Sequence, residues 1–355
     1  MRRFLSIFLL PALLLSCSRP ESKTPAGDVC KPEFLQLDEV DGGWRAVSIS
    51  PFDGSRDTLL IDRPLDKLIC MSTSYVGFLE AIGSEDVICG VSGTDYIYGT
   101  SLDAVDVGYD SAPDYEKILS LDPDLLLAYS VTAAKSLFFT KLESLGVRVF
   151  VVNEHLERHP LSRASYIRLF GALTGNMAAA DSVFDVVRDR YLSLADSVSA
   201  AINAPRKVLM NIPYNDQWFI PSADNYLFRL VSDAGGEVLG SGSGKSTSST
   251  ISLEKAYSLS READCWLNLG WCRTRDQLLG VNPLFPDMLR NISSNASNRG
   301  FDGTDVVWND NARVSPKGGN DIWQSGVARP DLVLRDLVGI LHPDGECRPL
   351  YYRAL

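Results

Sequence analysis

Aromatic and hydroxyl side chains are the groups in this sequence that could hold a ligand. They follow stretches typical of β-strands, and the loops after parallel strands converge on a crevice at one edge of a sheet. An aromatic lining there suits a large planar or amphipathic ligand. Any one of these aromatics could equally be a core or surface-loop residue. The candidate ligand-binding residues are Tyr75, Thr94, Tyr96, Tyr109 and Tyr129 in the first half of the chain, and Trp218, Phe219, Ser248, Trp271 and Trp323 in the second half.

Sequence patterns for catalysis or for a bare metal ion are missing. The chain has no Gly-x-Ser-x-Gly pentapeptide, in which many hydrolases carry their serine nucleophile. Ser243-Gly244-Lys245-Ser246 resembles the end of a phosphate-binding loop, but Leu239 occupies the place of its first glycine. The three histidines are scattered along the chain, which argues against a metal site. We therefore predict a binding protein without an intrinsic cofactor or metal, and not an enzyme.

The start of the chain predicts export and a lipid anchor. Arg2 and Arg3 precede an apolar run from Phe4 to Leu15, and small Ser16 stands directly before Cys17. This is the order of a secretory signal, and the run is shorter than the roughly 20 residues that cross a bilayer. We predict that residues 1–16 are removed and that Cys17 is lipidated on the periplasmic side of the cell envelope. An ordinary signal peptide is the alternative.

Charge and cysteine content limit the partners. The formal net charge is −11, and removal of residues 1–16, with two arginines and no acidic residue, would make it −13. A nucleic-acid partner requires a basic face, so it is excluded. Six cysteines remain after Cys17, and their pairing stays open in a compartment where disulfides persist. Cys265 and Cys272 are the only pair that could support a reductase alternative.

The chain divides into segments that predict an α/β fold. Strand-then-helix units recur after Pro64, which is typical of parallel sheets covered by helices. Helical periodicity over about 40 residues is too long for a crossover helix within one lobe, so it predicts a strut between two lobes, kinked near Gly175. The predicted segments are a signal peptide (1–16), a linker (17–35), a β-hairpin extension (36–64), an N-terminal α/β lobe (65–161), a single bridging helix (162–204), a C-terminal α/β lobe (205–343) and a tail (344–355).

Three stretches in this order carry a family resemblance over about residues 65–343. They are 115–127 (YEKILSLDPDLLL), 167–175 (IRLFGALTG) and 253–256 (LEKA). The chain resembles the helical-backbone (class III) periplasmic solute-binding proteins, which serve ABC importers of ferric siderophores, haem and cobalamin. The resemblance implies a cleft between two rigid lobes, a bound metal complex, an ABC permease and ATPase as partners, and a monomer.

The resemblance also implies roles for individual residues. Tyr109 and Tyr129 correspond to ligand-stacking aromatics of the first lobe, and Trp218 and Trp323 are their second-lobe counterparts. Glu116 and Glu254 lie where relatives contact basic residues of the permease; stabilisation of a helix N-terminus is the alternative role for both. The choice among siderophore, haem and corrinoid stays open. So do a cobalamin-specific binder and a lipoprotein that hands its ligand to a sensor or receptor without import.

Overall fold

A computed structural model describes residues 29–99, 102–109, 112–133, 136–202, 204–243, 248–301, 305–343 and 348–355. The predicted signal peptide and Cys17 lie outside these residues. None of the helices in the described ranges combines the length and the apolar composition that crossing a membrane requires.

The N-terminal extension is a small antiparallel sheet of strands β1 (Leu35–Val40), β2 (Gly43–Ile49) and β3 (Arg56–Ile61). The predicted hairpin corresponds to β2 and β3, and β1 adds a strand that the sequence analysis did not predict. The sheet is docked on the next lobe, because Ala46, Leu59 and Ile61 are buried in that lobe's core. The extension is therefore part of the folded body.

The N-terminal lobe contains a parallel sheet with the strand order β10-β9-β4-β5-β6 in the described residues. Helices cover both faces, as the alternating pattern predicts. The strands are β4 (Leu68–Cys70), β5 (Ile88–Val91), β6 (Val105–Asp106), β7 (Gly108–Tyr109), β8 (Ala112–Pro113), β9 (Leu125–Ala128) and β10 (Val149–Val151); the helices are α1 (Thr73–Ala81), α2 (Tyr115–Leu121) and α3 (Leu137–Ser144), with short 3-10 turns at Glu85–Val87, Thr94–Tyr96 and Glu154–Leu156.

The predicted bridging helix is present, but it is shorter than the predicted range 162–204. Three helices occupy this part of the chain: α4 (Pro160–Ala164), α5 (Ile167–Thr174) and α6 (Met177–Ala201). The chain turns at Gly175, which has a φ of 70° and ends α5, so the predicted kink is a full break. Helix α6 connects the lobes, and its 25 residues span about 37 Å.

Helix α6 is packed into two hydrophobic cores. Ala180 and Phe184 belong to the core of the N-terminal lobe, whereas Val187 and Tyr191 belong to the core of the C-terminal lobe. Helix α5 lies against the first half of α6 at a short distance, since a Cβ atom at Gly171 would meet the Cβ of Ala180 at 2.7 Å. The glycine therefore sets the spacing of the two helices.

The C-terminal lobe has a sheet with the order β13-β11-β15-β16-β17, in which β17 alone is antiparallel. The elements are β11 (Arg206–Met210), β12 (Trp218–Pro221), α7 (Tyr226–Asp233), β13 (Gly236–Val238), β14 (Ser248–Ile251), α8 (Leu253–Ser260), β15 (Cys265–Leu267), α9 (Arg275–Val281), α10 (Phe285–Asn298), β16 (Val307–Asn309), a 3-10 turn at Asp321–Trp323, α11 (Ser325–Ala328), α12 (Pro330–Leu341) and β17 (Arg353–Ala354).

The last residues belong to this lobe and are not a tail. Tyr351 and Tyr352 are 1% and 2% exposed, and the two backbone amides of Leu350 and Tyr351 donate to the buried Asp336 carboxylate at 2.7 Å. Strand β17 then pairs with β16. The two predicted α/β lobes with parallel sheets are confirmed, and the final strand extends the second one.

We predict that Gly171→Ala destabilises the protein by about 1–3 kcal/mol, because the new methyl group overpacks the contact between α5 and α6. Gly280→Ala is the matched control. Gly280 also lies in a helix, and a Cβ there meets nothing within 4 Å, so the same change should stabilise by about 0.5–1 kcal/mol through helix propensity. Urea unfolding followed by circular dichroism measures both. Equal effects at the two positions would contradict the proposed spacing role.

Candidate functional site

The carboxyl edges of the two parallel sheets face each other. The loop after β16 in the C-terminal lobe contacts the loop after β5 in the N-terminal lobe: Ser315 Oγ donates to the Asp95 carbonyl at 2.7 Å, and Lys317 Nζ lies 2.5 Å from the Asp95 carboxylate. Arg313 stacks over the Tyr98 ring at 4.6 Å. Because both loops follow strands, these contacts place the two sets of strand ends on opposite sides of one cleft.

Exposed aromatic side chains occur on both sides of this cleft. Tyr96 and Tyr109 follow β5 and β6 and are 37% and 42% exposed, with their rings edge to face at 6.1 Å. Tyr214 follows β11 and Trp271 follows β15, and they are 71% and 65% exposed. Large aromatics in water are costly unless they have a partner, so the four indicate a binding surface.

Tight turns hold the two aromatics of the second lobe. Tyr214 precedes a two-residue turn in which Asn215 and Asp216 both have positive φ, and it pairs with Gln217 through two backbone hydrogen bonds. This turn geometry suits Asn and Asp. Trp271 lies in a turn that buried Asn309 secures, because its side chain accepts from Leu269 N and donates to the carbonyls of Gly270 and Cys272.

A buried polar cluster lies at the floor, between the lobes. The Glu154 carboxylate accepts from Ser74 Oγ at 2.7 Å and lies 3.5 Å from the Arg163 guanidinium. Arg163 in turn stacks over the ring of Tyr226, which is in the C-terminal lobe, at 4.5 Å. Burial alone would raise the pKa of Glu154, but His155, Arg163 and Ser74 together hold that pKa below its usual range. The cluster therefore contains a charged pair.

Asp310 is a second acidic group of the floor, directly after β16. It is 6% exposed and has no ion pair with a cation in the described part of the chain. Burial raises the pKa of its carboxyl to about 6, although a backbone amide partly offsets that effect. The sequence analysis did not select Asp310, because an acidic residue after a strand carries no signal of its burial.

The predicted first-lobe candidates fall into two groups. Thr94 and Tyr96 lie on the 3-10 turn after β5, and Tyr109 lies on β7, so these three share the cleft side. Tyr129 follows β9, is half-buried and lines a cavity of about 650 Å³. Tyr75 is 0% exposed, and its hydroxyl oxygen lies 2.9 Å from the Ala128 carbonyl and 3.0 Å from the Val152 carbonyl, either of which can accept its proton. It is a core residue and not a ligand contact.

The second-lobe candidates also separate by burial. Trp271 is exposed, and Ser248 is exposed on β14, paired with Pro221 of β12. Phe219 is half-buried on β12. Trp323 lines a cavity of about 30 Å³ between the lobes, together with Arg163 and Tyr226.

Trp218 is a core residue and does not face the cleft, which corrects the prediction that it is a second-lobe ligand contact. Its side chain is 1% exposed, stacked on Trp266, and bonded through Nε1 to the Met210 carbonyl.

The two candidate docking glutamates have the same local structure. Glu116 is the second residue of α2 and Glu254 the second residue of α8, and both are exposed. In each helix the capping side chain, Asp114 or Ser252, accepts from the backbone amide of the lysine that follows the glutamate. The Ser252 hydroxyl also lowers the pKa of Glu254. Each lobe thus presents one exposed glutamate at a helix start.

Cysteine and metal chemistry have little support. Cys265 and Cys272 are both fully buried free thiols, and burial raises the pKa of each to about 11. A thiol with so high a pKa is a poor nucleophile at neutral pH. Within the described ranges, no group of three or more His, Cys, Asp or Glu side chains is arranged to hold a metal ion.

Comparison with known proteins places this geometry in context. Residues 68–289 match a family model described as a periplasmic binding protein. The chain is 25% identical over 305 residues to an uncharacterised lipoprotein of Methanocaldococcus jannaschii, covering 80% of this chain and 67% of that protein. It is also 25% identical over 242 residues to a cobalamin-binding protein of Halobacterium salinarum, covering 68% of this chain and 63% of the relative. The matched region is thus about two thirds of the length of these relatives.

Solved structures of similar fold include solute-binding proteins. A periplasmic haem-binding protein from Pseudomonas aeruginosa has a TM-score of 0.60 at 18% identity, covering 82% of this chain and 98% of that one. A periplasmic vitamin B12 binding protein of Vibrio cholerae has a TM-score of 0.57 at 16% identity, covering 78% and 97%. At these identities the likeness concerns the fold. Together with the family match, it confirms the predicted resemblance.

We predict that Asp310→Asn stabilises the protein at pH 7.5 by about 1–3 kcal/mol. The folded-state pKa of Asp310 is raised to about 6, so ionisation costs folding energy above that pH. The cost disappears as the pH falls below the unfolded-state pKa of about 3.9, and the two proteins should become nearly equal near pH 4. Urea unfolding at both pH values measures this. Asp305→Asn, at an exposed position nearby, should have no effect, and a gain for Asp310→Asn that persists at pH 4 would contradict the assignment.

Proposed function

This chain belongs to the periplasmic binding protein family, and we propose that it is the substrate-binding component of an ABC importer that captures a corrinoid such as cobalamin between its lobes. The observation that carries the proposal is the presence of exposed aromatics after strands of both lobes, Tyr96 and Tyr109 in one and Tyr214 and Trp271 in the other. Flat aromatic surfaces on both sides suit a broad, rigid ring system.

Charge in the cleft favours an uncharged ligand over an anionic one. The three cations at the contact between the lobes each have an acidic partner: Arg163 with Glu154, Lys317 with Asp95, and Arg313 with Asp321 at 2.6 Å. Asp310 adds a carboxyl without a cation.

Anionic ligands would find little compensation on these walls. Arg273 is an exposed cation two residues after Trp271 and could accompany an acidic group there. A ferric catecholate or the two carboxylates of haem would need several cations to replace their hydration. The corrin ring, whose periphery carries mainly carboxamides, does not. The similarity to a cobalamin-binding relative supports the same choice.

Haem is the second candidate, because exposed tyrosines such as Tyr109 could ligate iron. Desolvation and the neighbouring Tyr96 raise the pKa of Tyr109, however, which disfavours the phenolate that would bind ferric iron. A shifted Soret band on mixing with haemin would favour this candidate, and an unchanged band would exclude ligation. Cyanocobalamin bound in the same cleft would produce no such band.

Glu116 and Glu254 are the residues that would contact the permease of the importer. Their matched helix-start positions, one in each lobe, suit docking onto two equivalent basic sites of a dimeric permease. The predicted lipid on Cys17 would hold the protein at the membrane surface where that permease lies. A lipoprotein that passes its ligand to a sensor or receptor would need no such matched pair.

We predict that Trp271→Ala weakens cyanocobalamin binding about tenfold, because it removes one aromatic wall of the cleft. Leu60→Ala is the control, since Leu60 is an exposed apolar residue on the N-terminal extension, 58% exposed and outside the cleft. Tryptophan fluorescence titration of the fragment from Ser18 onward, with cyanocobalamin, haemin and ferric siderophores, measures the affinities. Saturable binding of a ferric siderophore without binding of cyanocobalamin would overturn the corrinoid assignment. Unchanged fluorescence with every ligand would favour a different solute.

We predict that reversing the charge of Glu116 or Glu254 to Arg leaves cyanocobalamin binding intact but lowers uptake by whole cells about tenfold, since each change opposes a basic docking site. The control is Glu237→Arg, because Glu237 is an exposed glutamate on β13 and does not begin a helix. Radiolabelled cobalamin uptake measures the effect. Uptake equal to that of the control would mean that both glutamates serve only their helices.

A further inference from the structure

The inner face of the N-terminal extension changes from apolar to polar towards its β2–β3 turn. Over the N-terminal lobe this face consists of buried apolar side chains: Leu35, Ala46, Leu59 and Ile61. Alternate residues of a strand share a face, so the same face continues towards the turn with different residues. They are Ser48, Ser50, Ser55 and Asp57. A sheet face that covers a core is normally apolar, so this polar end indicates space for water or a ligand.

The polar end of the sheet forms one wall of the cavity that Tyr129 lines. The cavity has a volume of about 650 Å³, within the range of small-molecule sites. The loop after β9 and the first turn of α3 form the opposite wall. This wall includes Tyr129, Ser130 and Phe139, and Asn153 joins it from the segment after β10. One wall of this cavity thus comes from the N-terminal extension, outside residues 68–289, the part that matches the family model.

Hydrogen bonds fix the two walls to each other. Asn153 Nδ2 donates to the Ile49 carbonyl at 3.2 Å, and Ser130 Oγ donates to Asn153 Oδ1 at 2.7 Å. Farther along the sheet, Arg148 donates to the Leu60 carbonyl at 2.8 Å. The cavity is therefore preformed, and binding there does not require ordering of the extension.

The lining chemistry suits an uncharged ring that carries hydroxyl groups. Serine hydroxyls both donate and accept, and the Asp57 carboxylate accepts only. Asp57 is exposed and has no hydrogen-bond or ion-pair partner within the described ranges, so its oxygens are available to O–H donors. Tyr129 and Phe139 supply aromatic surface for a flat ring. The wall carries one guanidinium, that of Arg56, beside the Asp57 carboxylate, so its formal charges balance and suit an uncharged group.

We propose that this cavity, the side compartment, binds an uncharged nucleoside-like group, a ribose with a flat attached ring, that extends from the solute held in the cleft. Tyr129 links the two sites, because it lines the side compartment and follows β9 at the strand edge that faces the cleft. The inference rests on the proposed function, since one solute occupies both sites. It assigns the N-terminal extension a role in ligand selection.

Two corrinoids distinguish binding in the side compartment from binding in the cleft. Cyanocobalamin carries a ribosyl-benzimidazole group on its corrin ring, and dicyanocobinamide has the ring without that group. The wild-type protein should bind cyanocobalamin at least about tenfold more tightly. Ser55→Trp places a large side chain in the cavity and should reduce the ratio of the two dissociation constants to about one. Asp57→Asn, which keeps the volume, should reduce it about threefold through a weakened hydrogen bond.

The control is Glu39→Gln, an exposed carboxylate at the far end of the same sheet, which should leave the ratio at the wild-type value. Isothermal titration calorimetry supplies both constants for each protein, and binding of dicyanocobinamide shows that a variant is folded. Should Ser55→Trp fail to fold, Asp57→Asn carries the test. Equal wild-type affinities for the two corrinoids would overturn the side compartment and leave the cleft assignment intact. Absence of binding of either corrinoid would overturn the proposed function and this inference with it.

Discussion

The two lobes keep one relative position because helix α6 is packed into both of their cores, and the short helix α4 also contributes a residue to each core. Phe184 is held in the first core and Tyr191 in the second, with less than two helical turns between them. Val183 touches both cores at the crossing point. A helix resists bending because its backbone hydrogen bonds would stretch. Large hinge opening would therefore have to pull one end of α6 out of a packed core.

A second connection between the lobes lies at the cleft. The backbone of α1 approaches that of the segment before α11 so closely at Gly77 that a Cβ there would meet the Gln324 carbonyl at 2.1 Å. Gln324 also bonds to Tyr98 through both its amide oxygen and its amide nitrogen. With α6 on one side and these contacts on the other, the cleft is largely preformed. Its exposed aromatics then contribute to affinity without a large cost of closure.

Sequence periodicity was sufficient to predict the two α/β lobes, because alternating strands and helices follow from local patterns of apolar residues. Periodicity failed where tertiary contacts decide the end of a helix or the burial of a side chain. Gly175 looked like a kink, but its left-handed conformation ends α5. Tyr75 follows a strand and Trp218 begins one, and ligand-binding residues occupy the same kinds of position. The burial of these two side chains becomes visible only in the packing of the folded protein. Tyr214 was missed although Asn215-Asp216 behind it is a recognisable turn signal.

The extension shows how an added sheet can change a binding site without disturbing the scaffold. Its apolar residues, such as Leu59, enlarge the existing core, so the attachment is stabilised by burial and does not depend on a ligand. Its polar residues lie beyond that core, where Asn153 ties the Ile49 backbone to the strand ends. Leaving Asp57 unpaired there contributes nothing to folding, since an exposed carboxylate keeps its water. Asp57 and Tyr129 line the same cavity, so the carboxylate is available to a group bound there.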